Sequence, residues 1–386
     1  MINSLEVKNY RSLKNLLVPS FGRVNLITGK NNSGKSTLLE AISILSSKGD
    51  IQWIYGLLTE RGENYNSARK DSTVDNYIRS LSSLFYNRDI DYSKDGLIWI
   101  SELEPGLFGL QGVSSNTVSM RFVRYANEFI QADNLVDERV ALRSKRVIIE
   151  EPDLYVGNAG EFGIGFEIKV GQDTRLLTLD DERLFERLRF GARTQMYSSN
   201  FQYIRTRNID KEVNGKLWDN VALTEKEAFV IDALRVIEPK LERIAFIGSD
   251  EYGGRTTVVK IKDSSKVLPL RSMGDGINRV LTIILALVNS DNGYLFIDEF
   301  ENGLHYSVQE KIWGIIFEVA RKLKIQVFAT THSEDCIKAF GSIFQRQDYY
   351  KDRKLIRLEG EDGSIRVVDF DSNELSVIAD QDIDPR

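Results

Sequence analysis

The residues with the clearest chemistry lie between positions 29 and 37. Gly29-Lys30-Asn31-Asn32-Ser33-Gly34-Lys35-Ser36 fits the pattern G-x-x-x-x-G-K-[ST] without a mismatch, and Thr37 follows it. A strand-like stretch, Val24 to Thr28, precedes the loop, and Ser36 to Ser47 continue with helical periodicity, the context such a loop requires. Glycines at 29 and 34 let the backbone curl so that successive N–H groups converge on an anion, and the positive end of the following helix adds to them. Lys35 is then expected to reach the β and γ phosphates of a nucleotide, and the Ser36 hydroxyl to ligate Mg2+. A glycine turn with a chance lysine and serine is the bland alternative, and it leaves the strand and helix on either side unexplained.

A second constellation supplies the carboxylates that phosphate transfer to water would need. In Tyr294-Leu295-Phe296-Ile297-Asp298-Glu299, four apolar residues end in two acids. This places both acids at the C-terminal end of a buried strand, where open α/β sheets bind ligands. Asp298 is expected to hold Mg2+ through its water shell, and Glu299 to orient and deprotonate the attacking water. A solvated acidic turn after a strand is common in isolation; alongside the loop at 29 the chemical reading prevails. His332 follows another apolar strand, Gln326 to Ala329, and should emerge at the same edge, where an imidazole can hydrogen-bond a γ-phosphate. The other histidine, His305, reads first as structural, and Cys336 as a buried helix residue rather than a nucleophile.

Ser272-Met273-Gly274-Asp275-Gly276 opens a helix 26 residues before Asp298. Together with the loop, the Asp-Glu strand end and Thr331-His332-Ser333, this segment resembles the ABC-type ATPase heads. The resemblance implies a P-loop α/β fold, ATP and Mg2+ as cofactors, and hydrolysis to ADP and phosphate. It also implies pairing of two copies, with Ser272 and Gly274 of one completing the nucleotide site of the other. Within that family, Asp298 to His305 and the Thr331-His332-Ser333 segment resemble the OLD-like branch, AAA-family ATPases found in bacterial anti-phage systems. Leu5 to Ser12 fits the same branch, which implies that Arg11 approaches the nucleotide. OLD-like nucleases carry a Toprim domain after the ATPase, whereas 54 residues follow His332 here. Asp369, Asp371 and the Asp380 to Asp384 cluster read as an acidic tail. The expected role is therefore a sensor or scaffold ATPase like those of Septu and PARIS, responding to a phage protein and controlling a separate effector, a nuclease or toxin. RecF-like DNA-repair ATPases are the alternative.

These groups must be positioned by the remaining sequence. The expected class is α/β: a mixed or parallel sheet with flanking helices, and a large α+β insertion. Residues 1–48 and 245–386 should form the ATPase head, and 49–244 the insertion. Expected elements include helices Val74 to Phe85, Glu182 to Phe190, Thr224 to Val236, Gly274 to Asn289 and Ser307 to Leu323. Expected strands include Val118 to Val123, Phe162 to Val170, Arg175 to Leu179, Ile244 to Ile247 and Thr257 to Ile261, with a closing hairpin at Lys354 to Leu358 and Ile365 to Val368. Thr224 with Glu227 has the form of a capping box. A length of 386 residues exceeds one ordinary domain, and 42% apolar residues suffice for a core. Net charge −6 argues against a histone-like role, and a single cysteine excludes an intramolecular disulfide. The N-terminus lacks a signal-peptide pattern and the longest apolar window, Val280 to Val288, is too short to span a bilayer, so a cytoplasmic location is expected.

One further cluster stands in the insertion. Arg187, Arg189, Arg193, Arg205 and Arg207 occur with no acid among them, interleaved with Phe190, Tyr197, Phe201 and Tyr203. Solvated arginines over buried aromatics, a partner interface, and a nucleic-acid surface all fit this composition. Replacing three of these arginines by alanine separates them: a nucleic-acid surface requires weaker DNA binding with a shallower salt dependence, and unchanged binding and slope remove that reading.

Overall fold

The computed structural model describes residues 1–65, 73–93, 95–104, 112–131, 142–150, 162–181, 183–184, 186–188, 201–206, 211–248, 255–264, 266–343, 352–361 and 364–370. The chain divides into two compact units. The first comprises Met1–Leu5, Leu16–Ser46 and Thr194–Arg386, the second Glu6–Asn15 and Ser47–Arg193. The sequence places the end of the insertion at 244, whereas the chain rejoins the first unit at Thr194. The reason is a short strand at Phe201–Ile204, which carries no motif but pairs in parallel with the Asp-Glu strand.

The second unit is built on the strands β1 (Leu5–Tyr10), β2 (Leu13–Val18), β4 (Ile98–Glu104), β5 (Gly112–Gln131), β6 (Leu142–Ile149), β7 (Gly163–Val170) and β8 (Asp173–Thr178). Their order is β2-β1-β4-β5-β7-β8, with β6 also on β5. Helices α2 (Ile51–Glu60) and α3 (Thr73–Ser82) belong to this unit. Its core includes Phe85, Phe122 and Phe166, whose rings meet at centroid distances of 5.3 to 6.3 Å.

The first unit contains β3 (Val24–Gly29), α1 (Lys35–Ser46), β9 (Phe201–Ile204), α4 (Lys211–Asp219), α5 (Glu225–Arg235), β10 (Leu241–Gly248), β11 (Arg255–Ile261) and β12 (Val267–Pro269). It continues with α6 (Asp275–Val288), β13 (Tyr294–Ile297), α7 (Tyr306–Lys322), β14 (Gln326–Thr330), α8 (Glu334–Ser342), β15 (Arg353–Glu361) and β16 (Ser364–Phe370). The main sheet runs β16-β15-β3-β14-β13-β9; all its pairings are parallel except that of the closing hairpin β15–β16. Strands β10, β11 and β12 form a separate antiparallel sheet.

All six residues of β3 and all five of β14 are buried, as in a parallel sheet covered on both faces, the polar Asn25, Thr28, Gln326 and Thr330 among them. Alternation along β13 sends Leu295 and Ile297 into a core shared with Val280, Ile284, Trp313 and Ile316 of α6 and α7. Phe296 therefore points to the other face, where its ring lies 5.6 Å from Phe328 and 5.8 Å from Tyr203, both nearly parallel to it. Among the described residues no helix is long and apolar enough to cross a membrane.

The capping box at α5 differs from its expected form. Thr224 accepts from the Lys226 N–H at 3.2 Å, but Glu227 reaches back one residue further, to the N–H of Leu223. The turn before the helix puts that donor within 2.7 Å. The expected helix Glu182 to Phe190 lies partly outside the described residues. Phe296 is fully buried beneath several rings, so Phe296→Ala should lower the unfolding free energy by about 3–5 kcal/mol. Urea denaturation checks this; a loss below about 1 kcal/mol would contradict the packing described.

Candidate functional site

Because β3, β14, β13 and β9 are neighbours and parallel, their C-terminal ends share one edge. The register sets the level of each side chain. Ile297 lies opposite Ala329 on one side and Ile204 on the other, so Asp298 comes level with Thr330 and Arg205. Thr330 in turn lies opposite Ile27, two residues before Gly29.

The loop after β3 has the conformation its glycines predict. Gly29 has φ 146°, Gly34 φ 89° and Asn32 φ 62°. A Cβ on Gly29 would sit 2.5 Å from the Leu358 carbonyl oxygen and 2.6 Å from Ser33 Oγ, so no side chain fits there. The Lys35 ammonium donates to the loop's own carbonyls, Gly29 at 2.8 Å and Lys30 at 2.9 Å. Burial lowers its pKa, opposed by the charges of Asp298, Glu301 and Glu299. Ser33 Oγ is buried and, among the described residues, has no hydrogen-bond partner. A cradle closed to side chains, a cation held only by carbonyls and an unsatisfied buried hydroxyl fit a bound phosphate chain.

The Asp298 carboxylate gathers the hydroxyls of this edge. Oδ1 accepts from Ser36 Oγ at 3.0 Å and from Thr330 Oγ1 at 2.6 Å; Oδ2 lies 3.4 Å from Thr206 Oγ1. Ser36 and Asp298 thus present adjacent oxygen donors, the chemistry a hard divalent cation takes. Among the described residues no group of three or more His, Cys, Asp or Glu could hold a metal by itself.

Glu299 follows in a left-handed turn with φ 50°. Such a conformation costs a non-glycine residue about 1–3 kcal/mol and must be held by its surroundings. The Glu299 N–H donates to Thr330 Oγ1 at 2.9 Å, and its carbonyl accepts from Arg279 Nη2 at 3.1 Å. No hydrogen bond to the Glu299 carboxylate occurs among the described residues. Glu301 lies close by and anchors His332, its Oε1 accepting from the His332 backbone N–H at 2.9 Å and lying 3.0 Å from Nδ1. The imidazole is half-exposed, and the pairing through Nδ1 leaves Nε2 for another partner.

Other expected residues have different surroundings. Ser272 and Gly274 are exposed at the start of α6; Ser272 Oγ donates to the Pro269 carbonyl, and a Cβ on Gly274 would meet nothing within 4 Å. Arg11 is buried within the second unit, where Nη1 pairs with Glu63 at 2.6 Å and Nε donates to the Tyr10 hydroxyl. His305 caps α7, accepting from the Ser307 N–H. Cys336 is buried, which pushes its thiol pKa up and makes it a poor nucleophile. Of the arginine cluster, Arg187 pairs with Asp181. Phe201 and Tyr203 lie on β9 against Phe296, so these two aromatics serve the core rather than base stacking. Arg189, Arg193, Arg207, Phe190 and Tyr197 lie outside the described residues, as do Asp371 and the Asp380 to Asp384 cluster.

Thr206, Arg279, Thr330 and Glu301 were not singled out from the sequence. Thr330 and Glu301 stand inside recognised motifs, whereas Thr206 and Arg279 reach this edge only through strand pairing and helix packing.

A glycine cradle between a buried parallel strand and a helix, with an Asp-Glu strand end hydrogen-bonded to its serine, defines a P-loop nucleoside-triphosphate hydrolase. Residues 1–85 match a family described as "AAA ATPase domain". Residues 173–335 match "AAA domain, putative AbiEii toxin, Type IV TA system". The chain is 24% identical to an "ATP/GTP phosphatase" of Helicobacter pylori, covering 94% of this chain and 93% of that one. It is 22% identical to "DNA replication and repair protein RecF" of Oenococcus oeni, covering 93% and 98%. Among solved structures, an SMC head bound to the C-winged helix domain of ScpA aligns over 96% of this chain and 97% of that one, with 12% identity and TM-score 0.46. The chain is a P-loop ATPase, and its two matched segments are similar to AAA families.

Thr330→Val should leave the Glu299 N–H and one Asp298 oxygen short of a partner, lowering stability by about 1–3 kcal/mol and slowing hydrolysis. Thermal unfolding and phosphate release check this, and a variant equal to the parent in both contradicts the geometry.

Proposed function

We propose that ATP joins two copies of this chain through their heads, and that this cycle is the sensor and scaffold of a bacterial anti-phage system controlling a separately encoded nuclease or toxin in the cytoplasm. The observation that carries the pairing is the segment opening α6. Gly274, at φ 104°, leaves open space above an exposed helix start, a surface suited to a phosphate held by another copy.

Within one site, Lys35 exchanges the carbonyls of Gly29 and Lys30 for phosphate oxygens, and the N–H groups from Asn31 through Thr37 line the cradle. Ser36 and Asp298 hold Mg2+, which when bound neutralises phosphate charge. Glu299 orients the attacking water and accepts its proton. His332, fixed by Glu301 through Nδ1, contacts the γ-phosphate through Nε2. The oxygen donors, the carboxylate beside them and the anchored imidazole lie at one sheet edge, and this supports the assignment.

The family description matched by residues 173–335, which names a toxin system, supports the defence role; in that reading the trigger is a phage protein. The full-length similarity to a RecF protein favours a second reading, a DNA-repair ATPase that binds nucleic acid. Glu299→Gln should retain ATP binding, slow hydrolysis by on the order of 100-fold or more and accumulate dimer in light scattering. Equal hydrolysis by variant and parent would remove Glu299 from its role. In cells carrying the gene with its neighbours, the defence reading requires phage resistance that Lys35→Ala abolishes; sensitivity to DNA damage on deletion, without any effect on phage, supports repair instead.

A further inference from the structure

We infer that Arg279 is a positioning residue for hydrolysis, which fixes where Glu299 presents its carboxylate by holding the backbone of the Asp298–Glu299 turn. The inference rests on the proposed role of Glu299 as the group that activates water.

Arg279 lies in the first half of α6, five residues after Gly274, and is only 3% exposed. Taking a guanidinium out of water carries a large desolvation cost that an apolar side chain in the same place would not. Its two terminal nitrogens donate to main-chain oxygens, while Nε has no partner among the described residues. Nη1 donates to the Arg205 carbonyl at 3.0 Å, and Nη2 to the carbonyls of Asp298 at 3.2 Å and Glu299 at 3.1 Å. One side chain therefore ties together the ends of β9 and β13.

The nearby carboxylates of Asp298, Glu301 and Glu299 offset the buried charge without taking up these donors. Asp298 keeps its oxygens for hydroxyls, and Glu301 keeps Oε1 for His332. An arginine bonded directly to Glu299 would tie up the carboxylate that must meet water. Bonded to the main chain, it holds the left-handed turn and leaves the carboxylate available. With Thr330 on the N–H and Arg279 on the carbonyl, both sides of Glu299 are gripped. Hydrogen bonds from a charged donor are stronger than neutral ones, and three of them can sustain a strained left-handed turn. A lysine has the charge but not the planar fork that spans three carbonyls.

The test is a double-mutant cycle on the full chain, using Arg279→Met, Arg279→Lys, Glu299→Gln and the two double variants. ATP affinity is measured separately, and thermal melts confirm that each variant is folded at the assay temperature. Arg279→Met should cut kcat by on the order of 100-fold while KM and ATP affinity stay within about threefold. Arg279→Lys should lose at least about tenfold, and it carries the test if the methionine variant does not fold. In the Glu299→Gln background either change should cost almost nothing more, because Arg279 acts through Glu299. Losses that multiply in the double variants, a change confined to KM, or parental kcat in Arg279→Lys would overturn the inference. Parental hydrolysis by Glu299→Gln alone is a different outcome: it removes the assignment of Glu299 and this inference with it.

Discussion

The Asp298 carboxylate accepts from the Ser36 and Thr330 hydroxyls and faces that of Thr206, groups delivered by three different segments at one sheet edge. Each of those segments is placed by parallel pairing: β3 beside β14, β14 beside β13, β13 beside β9. A shift of one residue in any register would turn the wrong face of a strand toward Asp298. The continuous burial of β3 and β14 and the stacked rings around Phe296 hold that register. The glycine loop, the hydroxyls around Asp298 and the Asp298–Glu299 turn are consequences of one alignment.

Charge at this edge is handled by division of labour. Lys35 and Arg279 are both substantially buried cations near the same three acids, yet neither forms a direct ion pair with them among the described contacts. Both donate to carbonyls instead. The arrangement keeps the carboxylates for hydroxyls, imidazole and water, and leaves Lys35 able to exchange its partners for phosphate. The second unit manages its own buried charge differently, pairing Arg11 directly with Glu63 and Arg121 with Glu167, each at 2.6 Å.

Much of the head was legible because its signals are local. The glycine loop, the Asp-Glu strand end, the helix after Gly274 and the closing hairpin each follow from a run of adjacent residues, and Tyr294 to Ile297 is a strand over the residues expected. What escaped the sequence depends on pairing between distant segments. Phe201–Ile204 is too short and too mixed in composition to announce the edge strand beside β13, and of the readings open for its aromatics their packing on Phe296 supports burial in the core. Arg279 reads as one more polar position on a helix; only the close approach of α6 to the strand ends brings it to Glu299. Arg11, assigned by resemblance, pairs with Glu63 in its own unit.

In the proposed pairing, each nucleotide site is divided between two copies of the chain. Mixing two inactive variants tests it most directly. Lys35→Ala lacks the phosphate grip but keeps Ser272 and Gly274; Ser272→Arg blocks the segment but keeps the grip. In a mixed dimer, one of the two sites combines the intact loop of one copy with the intact segment of the other. On this pairing, ATP hydrolysis, near background for each variant alone, should return on mixing to a substantial fraction of the parental rate. A mixture that stays as inactive as its components, with both proteins folded, or a Ser272→Arg variant that hydrolyses ATP at the parental rate on its own, would contradict it.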